Sequence, residues 1–215
     1  MSRAVAVPLP LQPYLALGDS YTIGEAVEEA GRWPVQLARA LRDEGATLAW
    51  PRIIATTGWT TDELSTALDA AEPLGRWELV SLLIGVNNQY RARSVADYVG
   101  EYRALLQRAI RYAGDRPQRV LAMSIPDWGV TAFGQRDARG SATIGAEIDA
   151  YNEAARAICE RHGVAWVDIT PVSRELGAQA AMLAEDGLHP SAAMYTHWTQ
   201  RALPVARRLL ADGGR

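Results

Sequence analysis

A serine, a histidine and a carboxylic acid stand in this chain in surroundings that allow nucleophilic chemistry. Ser20 ends the stretch YLALGDS, in which an apolar run stops abruptly at a glycine-bounded turn. Far downstream, the stretch EDGLHPS places Asp186 three residues before His189. A serine hydroxyl attacks a carbonyl at neutral pH only when a base takes its proton, and an imidazole, with an ordinary pKa near ~6.5, suits that task. These residues could form one site if the fold brings them together.

Each of these residues also has an ordinary structural interpretation. Gly, Asp and Ser are common turn residues, so Ser20 by itself indicates only a turn. Asp127 also follows an apolar run and is the rival candidate for the acid. His162 stands next to Gly163 at a predicted helix end, where a cationic side chain suits the helix dipole. The choice depends on the elements that position these residues.

Five short apolar runs alternate with longer segments of helical spacing. The runs are 14–17, 53–55, 79–84, 120–124 and 164–167. The intervening patterns predict a helix capped by Ser94, a second helix that ends near Gly163, and a last one from about Ser191 towards Leu210. Strands that alternate with helices predict an α/β fold, a three-layer α/β/α sandwich around a five-stranded, mostly parallel sheet. We predict a single domain over residues 1–215.

Polar residues follow several of these predicted strands, where ligands bind in open parallel sheets. Ser20 follows the first strand, Gly58 the second, and Asn87 the third. Attack of a serine on an ester produces a tetrahedral oxyanion, which needs hydrogen-bond donors already in place. The backbone amides of Ser20 and Gly58 and the side-chain amide of Asn87 could donate to it, although Asn87 could equally brace a loop.

Four blocks of the sequence resemble those of the SGNH hydrolases, also called GDSL esterases and lipases, and they occur in that family's order. The blocks are Gly18-Asp19-Ser20, Gly58, Gly85-Val86-Asn87-Asn88 and Asp186-Gly187-Leu188-His189. The resemblance implies an SGNH, flavodoxin-like fold with Ser20 as nucleophile, His189 as base and Asp186 as the acid that orients it. It further implies an oxyanion hole formed by Ser20, Gly58 and Asn87.

Two positions depart from the family's signature. Tyr21 replaces a leucine, which we expect to matter little because the side chain after the nucleophile need not touch the chemistry. Asn88 replaces an aspartate, which leaves the usual structural role of that position open.

We assign Asn88, Trp128 and Phe133 to substrate binding. The alternative for Asn88 is a loop-bracing role, because successive side chains at a strand end point to opposite sides and Asn87 is the one expected to face Ser20. The alternative for the two aromatic residues is ordinary packing of the loop.

Composition excludes several other kinds of chemistry. All 22 basic residues are arginines, so a pyridoxal Schiff base, a Walker lysine and a Ser-Lys dyad are impossible. One cysteine and three histidines make a metal site improbable, and we predict neither metal nor organic cofactor. A net charge of −3 argues against nucleic acid as a partner.

The chain also lacks the sequence signals of export or membrane insertion. The N-terminal segment has no apolar signal-peptide core, and no window is long and apolar enough to span a membrane. We therefore predict a cytoplasmic protein without stable membrane insertion, with the monomer as default and the oligomeric state open.

The combined sequence features favour a serine hydrolase of carboxylic esters, with short acyl chains preferred, acting through an acyl-serine intermediate on a small-molecule ester. A thioesterase or lysophospholipase using the same triad is the alternative enzyme. A non-catalytic carbohydrate- or protein-binding module is the alternative of another class. A flavodoxin-like nucleotide binder is disfavoured, since no glycine-rich or lysine-bearing phosphate loop is present.

Overall fold

Five parallel strands form the central sheet of the computed structural model, which describes residues 10–211. The strands are β1 (Tyr14–Gly18), β2 (Arg52–Ala55), β3 (Leu79–Leu83), β4 (Val120–Met123) and β5 (Ala165–Val167). All four neighbouring pairs are parallel, in the order β2-β1-β3-β4-β5. Each predicted run coincides with a strand to within one residue at either end, and the predicted sheet is confirmed.

Helices cover both faces of this sheet and confirm the three-layer α/β arrangement. They are α1 (Ser20–Ile23), α2 (Trp33–Asp43), α3 (Thr61–Ala71), α4 (Val86–Tyr90), α5 (Val95–Tyr112), α6 (Ser141–His162), α7 (Thr170–Leu176) and α8 (Ala192–Ala211). Single 3₁₀ turns lie at Glu29–Gly31, Pro117–Arg119, Trp128–Val130, Gly134–Arg136 and Ala180–Met182. Helices α2, α7 and α8 pack as one group, while α3, α5 and α6 pack as another.

Burial explains why the inner strands read as continuous apolar runs. Every residue of β1 and β3 is buried, as expected for parallel strands covered on both faces. The two edge strands, β2 and β5, are only three or four residues long and partly exposed. The core therefore centres on β1, β3 and β4.

The predicted helix ends are also found. The Ser94 hydroxyl accepts the N–H of Asp97 at 3.1 Å at the start of α5. Gly163 follows α6 with a φ of 67°, the left-handed conformation that glycine adopts readily. The last helix runs from Ala192 to Ala211 with Pro204 inside it.

The sheet order determines where a ligand would bind. The chain passes from β1 outwards to β2 and then crosses back to β3 on the other side of β1. Such a reversal opens a crevice at the carboxyl ends of the strands. Ser20 lies at that crevice, two residues after the end of β1.

Two other sequence expectations concern membranes and the chain ends. Over residues 10–211, no helix has the length and apolar character that crossing a membrane requires. Residues 1–9, which hold most of the segment examined for a signal peptide, lie outside the described residues, as do residues 212–215.

Candidate active site

The turn after β1 explains why the apolar run stops at Gly-Asp-Ser. A side chain at Gly18 would collide with the Thr22 hydroxyl and the Leu83 carbonyl oxygen, so only glycine fits. The Asp19 carboxylate caps the single turn of α1 by accepting the N–H of Tyr21 at 3.0 Å. Burial raises the pKa of Asp19 to about 7, although backbone hydrogen bonds from Tyr21 and Gly85 oppose that rise. Asp19 therefore shapes the turn that presents Ser20.

The loop after β2 brings Gly58 to the same crevice. Gly58 has a φ of 87°, a backbone conformation that favours glycine. Its carbonyl accepts from Nη2 of Arg91 at 2.7 Å, and the next carbonyl, that of Trp59, accepts from Nδ2 of Asn87 at 2.9 Å. Two side chains that follow β3 thus fix the peptide groups around Gly58.

Asn87 and Asn88 perform different tasks on α4. The Asn87 side chain is half-buried and lines the crevice. Its NH₂ group carries two hydrogens, and donation to the Trp59 carbonyl uses only one of them. The second is available to a ligand in the crevice.

The assignment of Asn88 to substrate binding is wrong. Its side chain is completely buried, where Oδ1 accepts the Thr61 N–H at 3.1 Å and Nδ2 donates to the Thr61 hydroxyl at 2.6 Å. Nδ2 also lies 3.3 Å from Oε2 of Glu101. Residues 86–90 form a helix, in which successive side chains are rotated by about 100°. Asn88 consequently points away from the crevice and braces the start of α3.

The loop before α8 holds Asp186 and His189 as a hydrogen-bonded pair. Nδ1 of His189 lies 2.6 Å from Oδ2 of Asp186, while Oδ1 accepts the N–H groups of Leu188 and His189, each at 2.9 Å. Partial burial alone would raise the pKa of Asp186, but these hydrogen bonds outweigh it and hold the pKa below the ordinary value. The carboxylate therefore stays ionised and keeps its partner nitrogen, Nδ1, as the protonated one.

The rival residues are engaged elsewhere. The Asp127 carboxylate is buried, accepts the N–H of Gly129 at 2.9 Å and pairs with Nε of Arg174 at 2.9 Å. His162 ends α6, and its Nδ1 lies 2.9 Å from the Ile158 carbonyl oxygen. Neither side chain lines the cavity that contains Ser20.

One cavity of about 190 Å³ brings most of the predicted site residues together, and Asp186 reaches it only through its hydrogen bond to His189. Its lining consists of Ser20, Tyr21, Thr57, Gly58, Val86, Asn87, Tyr90, Trp128, Phe133, Leu188 and His189. Ser20 and His189 thus share this cavity, although no hydrogen bond joins the Ser20 hydroxyl to the imidazole among the described side chains. Catalytic hydrogen bonds are often long before substrate binds.

Aromatic rings form one wall of the cavity. The Trp128 ring lies 5.5 Å from that of Tyr90 and 6.1 Å from that of Phe133. Nε1 of Trp128 donates to Oε1 of Gln89 at 2.8 Å, and the Arg139 guanidinium stacks 5.1 Å from the Trp128 ring. Trp128 is 2% exposed, so it is not packed on the surface.

The backbone ties this wall to the loop that carries His189. The N–H of Phe133 donates to the carbonyl of Gly187 at 3.0 Å. The wall and the Asp186–His189 pair are therefore fixed relative to each other.

Sequence reasoning gave no site role to five of the lining residues, namely Tyr21, Thr57, Val86, Tyr90 and Leu188. The side chain at position 21 was expected to matter little, but the Tyr21 ring lines the cavity and its centroid lies 5.8 Å from that of the His189 ring. Tyr90 lies three residues after Asn87, a spacing that places both on one side of a helix. This spacing could have identified Tyr90 as a site residue only if the sequence had predicted a helix at α4.

The described part of the chain contains no obvious metal site. Over residues 10–211, no group of three or more His, Cys, Asp or Glu side chains is arranged to hold a metal ion. The groups in the cavity are a hydroxyl, an imidazole paired with a carboxylate, and amide donors. This set suits acyl transfer.

Several solved structures of differing description share this fold. The structure of TesA matches with a TM-score of 0.73 and 21% identity over 93% of this chain and all of that one. Phospholipase A1 from Streptomyces albidoflavus matches with a TM-score of 0.65 and 19% identity over 92% and 99% of the two chains. Axe2, an acetylxylan esterase from Geobacillus stearothermophilus, has a TM-score of 0.67 and 19% identity over 92% and 94%. At these identities the likeness establishes the fold.

The family follows from the sequence itself. Curated proteins include no match, but the model of the GDSL-like Lipase/Acylhydrolase family matches residues 16–197, which covers most of the chain. The resemblance found in the four sequence blocks is thereby confirmed, and the alternative of a non-catalytic binding module loses its support. The chain belongs to the GDSL-like lipase and acylhydrolase family and is a hydrolase.

Proposed function

We propose that this hydrolase cleaves carboxylic esters of short acyl chains through an acyl-serine intermediate on Ser20. The observation that carries the proposal is the shared cavity, in which Ser20 meets His189, itself held by Asp186 at 2.6 Å. The proposed oxyanion donors, the N–H groups of Ser20 and Gly58 and Nδ2 of Asn87, come from residues that line the same cavity.

The proposed reaction has two halves. His189 takes the proton of Ser20 as Oγ attacks the ester carbon, and the three donors stabilise the negative oxygen that forms. The imidazolium then gives its proton to the departing alcohol, which leaves an acyl-serine. Water repeats the sequence with the same base and releases the acid.

The aromatic cavity supports short acyl chains as substrates. Tyr90, Trp128 and Phe133 give it an apolar wall, and its volume of about 190 Å³ limits how much of a chain it can cover. Each methylene that becomes buried adds about 0.8 kcal/mol, or about fourfold in kcat/KM, whereas a methylene outside the cavity adds little.

A series of p-nitrophenyl esters from acetate to dodecanoate tests this proposal. We expect kcat/KM to rise by about fourfold per methylene, to peak at butanoate or hexanoate, and then to flatten or fall. Phe133→Ala enlarges the cavity and should move the peak to longer chains. Trp50→Ala is the control, since Trp50 is an exposed aromatic residue outside the cavity. A peak at decanoate or beyond in the unaltered protein contradicts the short-chain proposal.

A second expected result separates the two asparagines. Asn87→Ala should lower kcat by about 10² to 10³ because it removes one donor to the oxyanion, and it should lower the melting temperature by only about 2 to 4 °C through the lost hydrogen bond to the Trp59 carbonyl. Asn88→Ala should lower the melting temperature by roughly 2 to 12 °C, because the buried Thr61 N–H loses its acceptor at a cost of about 1 to 3 kcal/mol.

Steady-state kinetics and thermal unfolding on both variants distinguish the roles. Activities are compared per folded molecule, so that the stability loss of the Asn88 variant does not pass for a catalytic effect. A kcat for Asn87→Ala within tenfold of the unaltered protein means that Asn87 is not an oxyanion donor.

A further inference from the structure

The residue after the proposed nucleophile contacts the proposed base. Tyr21 is 3% exposed and lies in α1, directly after Ser20. Its ring centroid is 5.8 Å from that of His189 with an interplanar angle of 61°, an edge-to-face contact. The family signature has a leucine at this position, so the contact between two rings is particular to the residue that this chain carries.

Tyr21 is one member of a row of four rings that begins inside α8. Tyr195 and Trp198 are completely buried and lie edge-to-face with centroids 5.0 Å apart. Trp198 in turn contacts Tyr21 at 5.9 Å and 69°. The imidazole of His189 is the last ring of this row and the one that reaches the cavity. A buried, packed row of this kind gives the imidazole a rigid support.

The hydrogen bond to Asp186 does not fix the imidazole by itself. It holds one ring atom, Nδ1, and leaves the ring able to pivot about that contact. Asp186 is also the more exposed partner, with 39% of its side chain accessible against 13% for His189. A second contact on the ring removes this freedom, and Tyr21 supplies it from the side of the nucleophile.

From this geometry we propose that Tyr21 is a positioning residue, whose ring holds the His189 imidazole in the orientation that proton transfer requires. The inference rests on the proposed function, in which His189 takes the serine proton and later returns it to the leaving alcohol. A ring pair of this kind contributes about 0.5 to 1.5 kcal/mol beyond its buried area, so its loss corresponds to about 2- to 12-fold in rate.

The ring, rather than the hydroxyl, makes the contact in this proposal. Tyr21→Phe keeps the ring and should retain kcat/KM within about twofold, whereas Tyr21→Leu, which restores the family's residue, should lose about 3- to 10-fold. Tyr21→Met replaces the leucine variant if the latter does not fold. A Phe variant as impaired as the Leu variant overturns the proposal, since the hydroxyl would then be the operative group.

The leaving group provides a readout that a loss of folding does not change. Ethyl butanoate and p-nitrophenyl butanoate form the same acyl-serine, but only the alkoxide needs a proton from the imidazolium to leave. A misplaced imidazole should therefore lower kcat/KM more for the ethyl ester than for the nitrophenyl ester. We expect the ratio of kcat/KM for the ethyl ester to kcat/KM for the nitrophenyl ester to fall by about threefold or more in Tyr21→Leu.

Tyr102→Leu is the matched control. Tyr102 is 1% exposed and lies in α5, outside the cavity, so the same substitution should cost stability without changing the ratio. Titration with a fluorophosphonate counts the active sites in each preparation. An unchanged ratio in Tyr21→Leu overturns the positioning role. Failure of the unaltered protein to label at Ser20 instead refutes the proposed function, so the two failures are distinguishable.

Discussion

Ser20→Ala is expected to lower the turnover of p-nitrophenyl butanoate by about 10⁴ to 10⁶, because it removes the proposed nucleophile. The fold should survive. Ser20 is 4% exposed in a turn that Gly18 and the Asp19 cap define, and alanine fits wherever serine does. Circular dichroism and thermal unfolding should therefore match the unaltered protein, while fluorophosphonate labelling of the unaltered protein maps to Ser20 and disappears in the variant.

Ser94→Ala is the control for the loss of a serine hydroxyl. The Ser94 hydroxyl caps α5, so its removal should destabilise the protein by about 1 kcal/mol. Turnover per folded molecule should stay the same, since Ser94 does not line the cavity. A folded Ser20→Ala protein that retains more than about a tenth of the original turnover contradicts the assignment, because ~1.4 kcal/mol is too little for a lost nucleophile.

The strands and the residues at their ends were predictable because local signals specify both. The apolar runs were distinct from the segments of helical spacing between them, and parallel sheets gather the carboxyl ends of their strands at one edge. The order of the strands was therefore enough to predict that Ser20, Gly58 and Asn87 share one cavity. The Asp186–His189 pair was predictable for a different reason, namely that both residues belong to one short loop.

The side-chain directions in the two single-turn helices were not predictable in the same way. Asn88 was assigned to substrate binding with loop bracing as the alternative, and the backbone, which turns helical at Val86, carries its side chain into the core. Tyr21 was expected to matter little, and no sequence signal indicated that α1 turns its ring towards His189. A helix of four or five residues leaves no periodic pattern, so neither rotation could be read from the sequence.

The aromatic wall was only partly predictable, since its geometry comes from contacts between distant segments. Trp128 and Phe133 were found as apolar rings in a loop, but nothing local indicated that Gln89 would hold the Trp128 indole. Arg139 stacks on the Trp128 ring from yet another segment. Contacts of this kind depend on tertiary packing and not on any single motif.

Asp186→Asn is expected to lower turnover by about 10⁴, with a much smaller effect on substrate binding. The Asp186 carboxylate uses one oxygen for the backbone N–H groups of Leu188 and His189 and the other for Nδ1 of His189. An asparagine can keep its single carbonyl oxygen on the backbone groups, which turns its NH₂ towards Nδ1. That nitrogen must then accept, so the proton of the neutral imidazole moves to Nε2 and His189 can no longer take the serine proton.

Asp127→Asn is the matched substitution that decides between the two acids. It weakens the pair with Arg174 and should lower the free energy of unfolding by about 1 to 3 kcal/mol, while turnover per folded molecule stays within tenfold. Arg174 keeps Asp149 as a second partner at 2.8 Å, so it is not left without a counter-charge. If Asp127→Asn loses more turnover than Asp186→Asn, the acid is misassigned, whereas the assignment of the nucleophile, which Ser20→Ala tests independently, is unaffected.

Because hydrogen bonds hold the pKa of Asp186 below its ordinary value, the Asp186 carboxylate is ionised throughout mildly acidic and neutral pH. The loss of turnover in Asp186→Asn, measured per folded molecule, should therefore persist across this pH range.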